Sequence, residues 1–304
     1  MRIALAQINP TVGDLRGNLR KHLESLRRAK AAGADIVVFP ELSILGYPPK
    51  DLLLKPAVVE LCAQAVDEIA RHAEGITALV GTVGKNLANT GRPLYNTVTI
   101  VSNGKILARR FKSLLPTYDV FDEARYFEPG ENGEGNGEGN VGGDATIVLI
   151  EGRPVGISIC EDLWNDEKFI ERPLYHFHPI ETLAQAGAGI LFNISASPFV
   201  LGKNEYRHKL FSFQAKRWQL PIVYVNQIGG NDELVFDGNS AVYDHQGNII
   251  AQAKDFEEDL LLADIPPPFP PPPSLPIPLL PPPPPPPHRP SPTLAPAPPA
   301  PPVL

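Results

Sequence analysis

Residues 35–41 read DIVVFPE. Ile36, Val37, Val38 and Phe39 make a short continuous apolar run, which reads as a buried strand. Pro40 closes the run, since proline brings no amide donor to a ladder, and Glu41 is delivered at the strand's C-terminal end. Upstream, Arg2–Ile8 is an alternating, β-prone segment stopped by Asn9-Pro10. Asp14 is placed to cap a helix over 15–32, with Leu15, Leu19, Leu23, Leu26 and Ala29 on one face, and Gly33 ends it. Downstream, a helix is predicted over 56–73, then strands at Thr77–Val83, Tyr95–Val101 and Ile106–Phe111. The last two are joined by Ser102-Asn103-Gly104-Lys105, a hairpin turn. Ala145–Glu151 and Val155–Cys160 form a further pair around Gly152-Arg153-Pro154. A helix near 179–187, strand Gly189–Ile194, a helix over 204–217 and strand Ile222–Gln227 continue the alternation. A hairpin, Ser240–Tyr243 and Asn248–Ala253, leads to Leu260–Asp264. Helices thus alternate with strands while hairpins interrupt them, which predicts an α/β protein of sheets layered with helices. Periodicity alone does not name the fold.

Composition divides the chain. Residues 1–265 have the apolar runs, mixed charge and spaced turns of a soluble globular domain. Residues 266–304 hold 23 of the 36 prolines. Such a run is expected to be an extended, disordered tail, because proline fixes the backbone near polyproline II and lacks an amide donor. Its PxxP patterns would suit proline-binding modules, but a stretch this rich in proline meets that pattern by chance. Residues 131–143 (ENGEGNGEGNVGG) read as a flexible surface loop and lack the GxxxxGK[ST] pattern of a phosphate cradle. The net charge of -7 disfavours nucleic acid or an anionic membrane as partner. No leader-like segment precedes the first strand and no apolar run is long enough to span a bilayer, so a cytoplasmic enzyme is expected. The two cysteines, Cys62 and Cys160, are too few for a disulfide scaffold. Cys62 falls on the apolar face of the 56–73 helix and reads as core. The histidines show no zinc spacing, so no metal is expected. Trp164 and Trp218 read as packing residues.

Three residues with complementary chemistry each end a predicted strand: Glu41, Lys112 and Cys160. Taken singly, they have ordinary readings as a turn, a surface charge and a small core residue. Together, a carboxylate, an amine and a thiol suit attack on an amide or nitrile carbon. A thiol is a weak nucleophile until a base takes its proton, which Glu41 could do. The tetrahedral intermediate carries an oxyanion that the Lys112 ammonium could stabilise.

The segments that hold these residues resemble the nitrilase, or carbon-nitrogen hydrolase, superfamily. The resemblance runs from ALAQINPTVGDLRGN through FPELSILGY, FKSLLP, FDEARYFEPG and CEDLW to NISASPF and GNSAVYD. It implies a four-layer α-β-β-α sandwich, often assembled into homo-oligomers. It also implies Glu41 as base, Lys112 as oxyanion stabiliser and Cys160 as nucleophile. The backbone N–H of Glu161 would complete the oxyanion hole, and Glu123 matches an auxiliary glutamate close to the triad. YPPKDLL, LPTYDVFDE, CEDLW and NISASPF followed by GKNEYR are similar to one branch, the glutaminase domain of NAD synthetases. That similarity implies Tyr118, Ser197 and Lys203 as contacts to L-glutamine. Lys203 would meet the substrate's carboxylate and the Glu161 side chain its ammonium.

The implied reaction is hydrolysis of the glutamine amide, with ammonia supplied for NAD synthesis from deamido-NAD. It needs no cofactor; ATP and Mg²⁺ would serve only a synthetase domain. This sequence contains no SGGxDS-type phosphate loop, which leaves three readings open: a truncated chain, a frameshifted product, or a stand-alone glutaminase that works with a separate synthetase. Two alternatives stay open. One is an amidase acting on another small amide. The other is a non-catalytic subunit that displays the proline tail or docks on a synthetase.

Overall fold

The computed structural model describes residues 1–130 and 147–265; the predicted loop at 131–143 and the proline-rich tail at 266–304 lie outside the described residues. Two six-stranded sheets form the body. The first comprises β1 (Arg2–Gln7), β2 (Ile36–Val38), β3 (Thr77–Lys85), β4 (Leu94–Ser102), β5 (Lys105–Phe111) and the last strand, β14 (Asp259–Asp264). Its order is β14-β1-β2-β3-β4-β5, with β1, β2 and β3 parallel and the outer strands antiparallel. The second comprises β6 (Ile147–Ile150), β7 (Arg153–Ile159), β8 (Ile190–Ser195), β9 (Ile222–Asn226), β12 (Ala241–Tyr243) and β13 (Ile249–Gln252). Its order is β13-β12-β9-β8-β7-β6, again with a parallel centre, β7-β8-β9. A small hairpin, β10 (Ile228–Asn231) and β11 (Leu234–Asp237), stands apart.

The sheets pack face to face, with helices outside each, because their central strands are apolar on both faces. In β1, Ile3 and Leu5 point into the core between the sheets, where they meet Ile157, Ile159, Phe192 and Val223. Ala4 and Ala6 point the other way, toward helices α1 (Leu15–Ala31) and α2 (Pro56–His72). On the far side, α3 (Pro179–Gln185) and α4 (Lys203–Trp218) cover the second sheet through Leu183, Leu210, Phe211 and Ala215. The architecture is the expected α-β-β-α sandwich. Cys62 is fully buried between α2 and the first sheet. Among the described residues no helix is long and apolar enough to cross a membrane.

Asp14 caps α1 as expected, its side chain accepting from the Gly17 amide at 2.9 Å. The buried face of that helix is not the predicted leucine stripe. Asn18, His22 and Ser25 are buried beside Leu26 and Ala29, while Leu15, Leu19 and Leu23 are only partly covered. The polar side chains tolerate burial because they are bonded. Asn18 donates to the Thr11 and Ile44 carbonyls, and His22 bridges the Asn18 carbonyl and Ser43 Oγ. The β10–β11 hairpin was not among the predicted strands.

Candidate active site

Glu41, Lys112 and Cys160 each follow a strand, and the C-terminal ends of β2, β5 and β7 meet at one end of the sandwich. Close backbone approach makes this possible at Gly81 of β3. A Cβ there would lie 2.0 Å from the Pro40 carbonyl oxygen and 2.9 Å from the Glu41 carbonyl carbon. Glu41 reaches across to the second sheet, where its Oε2 accepts from the Ala196 amide at 2.9 Å.

Lys112 Nζ donates to Glu41 Oε1 at 2.7 Å and to Glu123 Oε1 at 2.8 Å, with all three side chains buried. Burial pulls the ammonium's pKa down, but Glu123 and Glu41 more than offset it, so the group stays charged well above neutral pH. Burial, with Glu41's charge, lifts Glu123 to about 7 against the pull of Lys112. Two further residues complete this cluster without having been predicted from sequence. Asn96 donates to Glu41 Oε1 at 2.7 Å, and Tyr47 OH donates to Glu123 Oε1 at 2.8 Å. Asn96 left a readable trace, as an amide within the apolar strand LYNTVTIV.

Cys160 opens a 3-10 turn, Cys160–Leu163, directly after β7, with a positive φ of 43°. That is an uncommon conformation for a non-glycine residue and a form of local strain. The turn is held by Asn193, which donates to the Cys160 carbonyl at 3.3 Å and to Ser158 Oγ at 3.0 Å. Burial pushes the Cys160 thiol well up and Glu41 adds to this, while Lys112 opposes them.

The thiol opens on a pocket of about 410 Å³ whose lining includes Tyr118, Glu161, Trp164, Ser197 and Lys203. Glu41, Lys112 and Glu123 are not among its lining residues; their charges act on Cys160 from the buried side. Tyr118 OH donates to both Glu161 oxygens, at 2.9 and 3.0 Å, and Tyr175 OH reaches Oε1 at 3.3 Å. Burial raises the Glu161 pKa, against Lys112 and these phenols. Ser197 is fixed by Asn226, whose Oδ1 accepts from the Ser197 amide at 2.8 Å. Lys203, the first residue of α4, is half-buried, and burial lowers its pKa. Its Nζ sits 5.3 Å from the centroid of the Trp164 ring.

Trp164 packs against the core beside α3 and α4, as expected, and in addition forms part of the pocket wall, where it offers its π face to a cation. Trp218 is buried in the core beneath α4, as expected. Tyr175 had no sequence signal, because the Asn165 side chain sets its position from ten residues away. Asn165 Nδ2 donates to the Tyr175 carbonyl at 2.9 Å and to that of Phe177 at 2.8 Å.

The family model for carbon-nitrogen hydrolases matches residues 2–268. A glutamine-dependent NAD(+) synthetase of Synechocystis sp. is 41% identical over 264 residues, covering 86% of this chain and 45% of the relative. The solved structure of a glutamine-dependent NAD+ synthetase from Acinetobacter baumannii superposes with a TM-score of 0.73 at 34% identity. It covers 86% of this chain and 44% of that one. The chain thus spans less than half the length of these relatives. A Nesterenkonia amidase shares the fold over 88% of this chain and 93% of its own, with a TM-score of 0.70 at 24% identity.

Proposed function

The chain belongs to the carbon-nitrogen hydrolase family, and we propose that it hydrolyses the side-chain amide of L-glutamine to L-glutamate and ammonia through a γ-glutamyl thioester on Cys160. The observation that carries this reading is the pocket wall, where the Glu161 carboxylate and the Lys203 ammonium flank the thiol. A free amino acid brings both an ammonium and a carboxylate, and each needs an opposite charge in a partly dry site. In this reading Tyr118 and Ser197 complete the walls around the substrate.

At rest the thiol keeps its proton, since burial and the Glu41 charge disfavour a thiolate. As sulfur attacks the amide carbon, Glu41 takes that proton, so no free thiolate has to form first. Negative charge develops on the amide oxygen, where the Lys112 ammonium and the Glu161 backbone N–H receive it. Glu123 holds Lys112 in place. Protonated Glu41 passes its proton to the departing nitrogen, ammonia leaves and the thioester remains. Water, deprotonated by Glu41, then attacks the thioester carbon; the C–S bond breaks and sulfur recovers a proton. Glutamine plus water gives glutamate plus ammonia.

Only the chain's own groups and water enter these steps. ATP and Mg²⁺ belong to the synthetase reaction that would use the ammonia to convert deamido-NAD to NAD. That coupling is supported by the activity for which the relatives are named. The family resemblance supports a homo-oligomer, and the free thiols Cys62 and Cys160 are in keeping with a reducing cytoplasm.

The test is ammonia release from L-glutamine by the full chain beside Cys160→Ala. Release is expected from the parent and none from the variant. Turnover by a folded Cys160→Ala protein would overturn the thioester. Hydrolysis of aliphatic amides without hydrolysis of glutamine would replace glutamine with another small amide.

A further inference from the structure

Lys112 and Cys160 belong to different sheets, one at the end of β5 and the other at the end of β7. Apolar packing between sheets is not directional, so it does not by itself fix the spacing of an ammonium and a thiol to a fraction of an ångström. One buried side chain spans the gap. Asp162, the third residue of the turn that begins with Cys160, has no exposed surface. Its Oδ2 accepts from the Ile159 amide at 3.0 Å, immediately before the cysteine. Its Oδ1 accepts from the Ser113 and Leu114 amides at 3.0 and 2.8 Å, immediately after the lysine. Arg110, two residues before Lys112, makes a second tie: it donates to the Ile157 carbonyl at 3.2 Å and to Ser113 Oγ at 3.1 Å.

We propose that Asp162 is a positioning residue, whose carboxylate locks the segment after Lys112 to the Cys160 turn and so sets the distance between oxyanion stabiliser and nucleophile. This rests on the roles given above to Lys112 and Cys160. The choice of side chain follows from the donors. Three amide N–H groups converge on it, and only an acceptor-only group with two oxygens satisfies them all. An asparagine keeps one oxygen and sets an NH₂ against an N–H; an apolar residue leaves three buried donors without partners. Both Asp162 oxygens are occupied by backbone amides, and the residue is absent from the lining of the Cys160 pocket, so its effect on rate passes through the two residues it ties together.

The experiment compares the full-length parent with Asp162→Asn, measuring kcat and KM for L-glutamine, the rate of Cys160 alkylation by iodoacetamide, and Tm. Loss of positioning predicts kcat lower by about 10²-fold, the order expected for an ångström-scale misplacement, with KM within about threefold of the parent. Alkylation should slow as well, because activation of the thiol depends on the same spacing. A folded variant with parental kcat and parental alkylation, whatever its Tm, would overturn the proposal and leave Asp162 a purely structural group. If Asp162→Asn does not fold, Asp162→Glu carries the same test, since it keeps the carboxylate but displaces it by a methylene. Alkylation does not depend on glutamine being the substrate. A parent inert to glutamine would therefore refute the glutaminase reading alone, and the alkylation rates would still decide on Asp162.

Discussion

Glu41 is held from three directions, by Lys112, by Asn96 and by the Ala196 amide, and all three are donors. A carboxylate suits them because both of its oxygens accept. Glutamine in its place would turn an NH₂ group toward one of those donors and could no longer take the thiol proton. We expect Glu41→Gln to lower kcat by about 10²–10⁴-fold, the usual worth of a general base, with the fold retained. Steady-state kinetics with circular dichroism as the folding control would check this; a loss below about tenfold would mean another group takes the proton. Glu41, Lys112 and Cys160 were legible in the sequence because each ends a strand in a motif of recognisable order. Tyr175 and Asp162 were not. Asp162 makes one local bond, to the Ile159 amide, but the two that tie the sheets together reach amides 48 and 49 positions away, and Tyr175 is placed by another residue's side chain, so neither role shows in the local sequence.

Strand β3 and helix α1 carry the two predictions that belong to elements. Gly81 gives the 40–42 turn room to lie against β3, and a methyl group there would meet the Pro40 oxygen at 2.0 Å. Gly81→Ala should cost about 1–3 kcal/mol, read by urea unfolding, and should lower kcat as well, because the displaced segment carries Glu41. In α1, burial holds His22 neutral by lowering its pKa from 6.5 to about 4. The folded state therefore refuses a proton that the unfolded chain accepts below about 6.5. The His22 contribution to stability is complete above that pH and falls as pH drops toward about 4, by about 2 kcal/mol between pH 7 and pH 5. Other buried groups such as Glu123 titrate over the same range, so the comparison is between proteins: urea unfolding should show the parent losing about 2 kcal/mol more than His22→Gln between those two pH values. Equal pH dependence in both would refute it. The same helix shows why sequence patterning fell short here. Leucine periodicity located the helix and its cap, but the bonded polar face of Asn18, His22 and Ser25 is legible only once Thr11, Ile44 and Ser43 are in place.

At the scale of the molecule, both sheets repeat one plan, a parallel three-strand centre flanked by antiparallel strands; Glu41 and Cys160 follow central strands β2 and β7, and Lys112 is brought to them from the edge strand β5. The layered class was readable from alternating strands and helices, whereas the pairing order was not, since β1 takes as its neighbour a strand more than 250 residues later. That last pairing has a topological consequence. Ile265 donates its amide to the Met1 carbonyl at 2.9 Å, and the Met1 ammonium lies 3.3 Å from the Ile265 carbonyl oxygen. The described body is thus a ring closed by hydrogen bonds where a peptide could stand. A circular permutant that joins Ile265 to Met1 through a few glycines and opens at the exposed Asn103-Gly104 turn should keep every strand partner. It should also release ammonia from glutamine in a Cys160-dependent manner; a permutant that folds without that activity would show that the order of synthesis matters to the site.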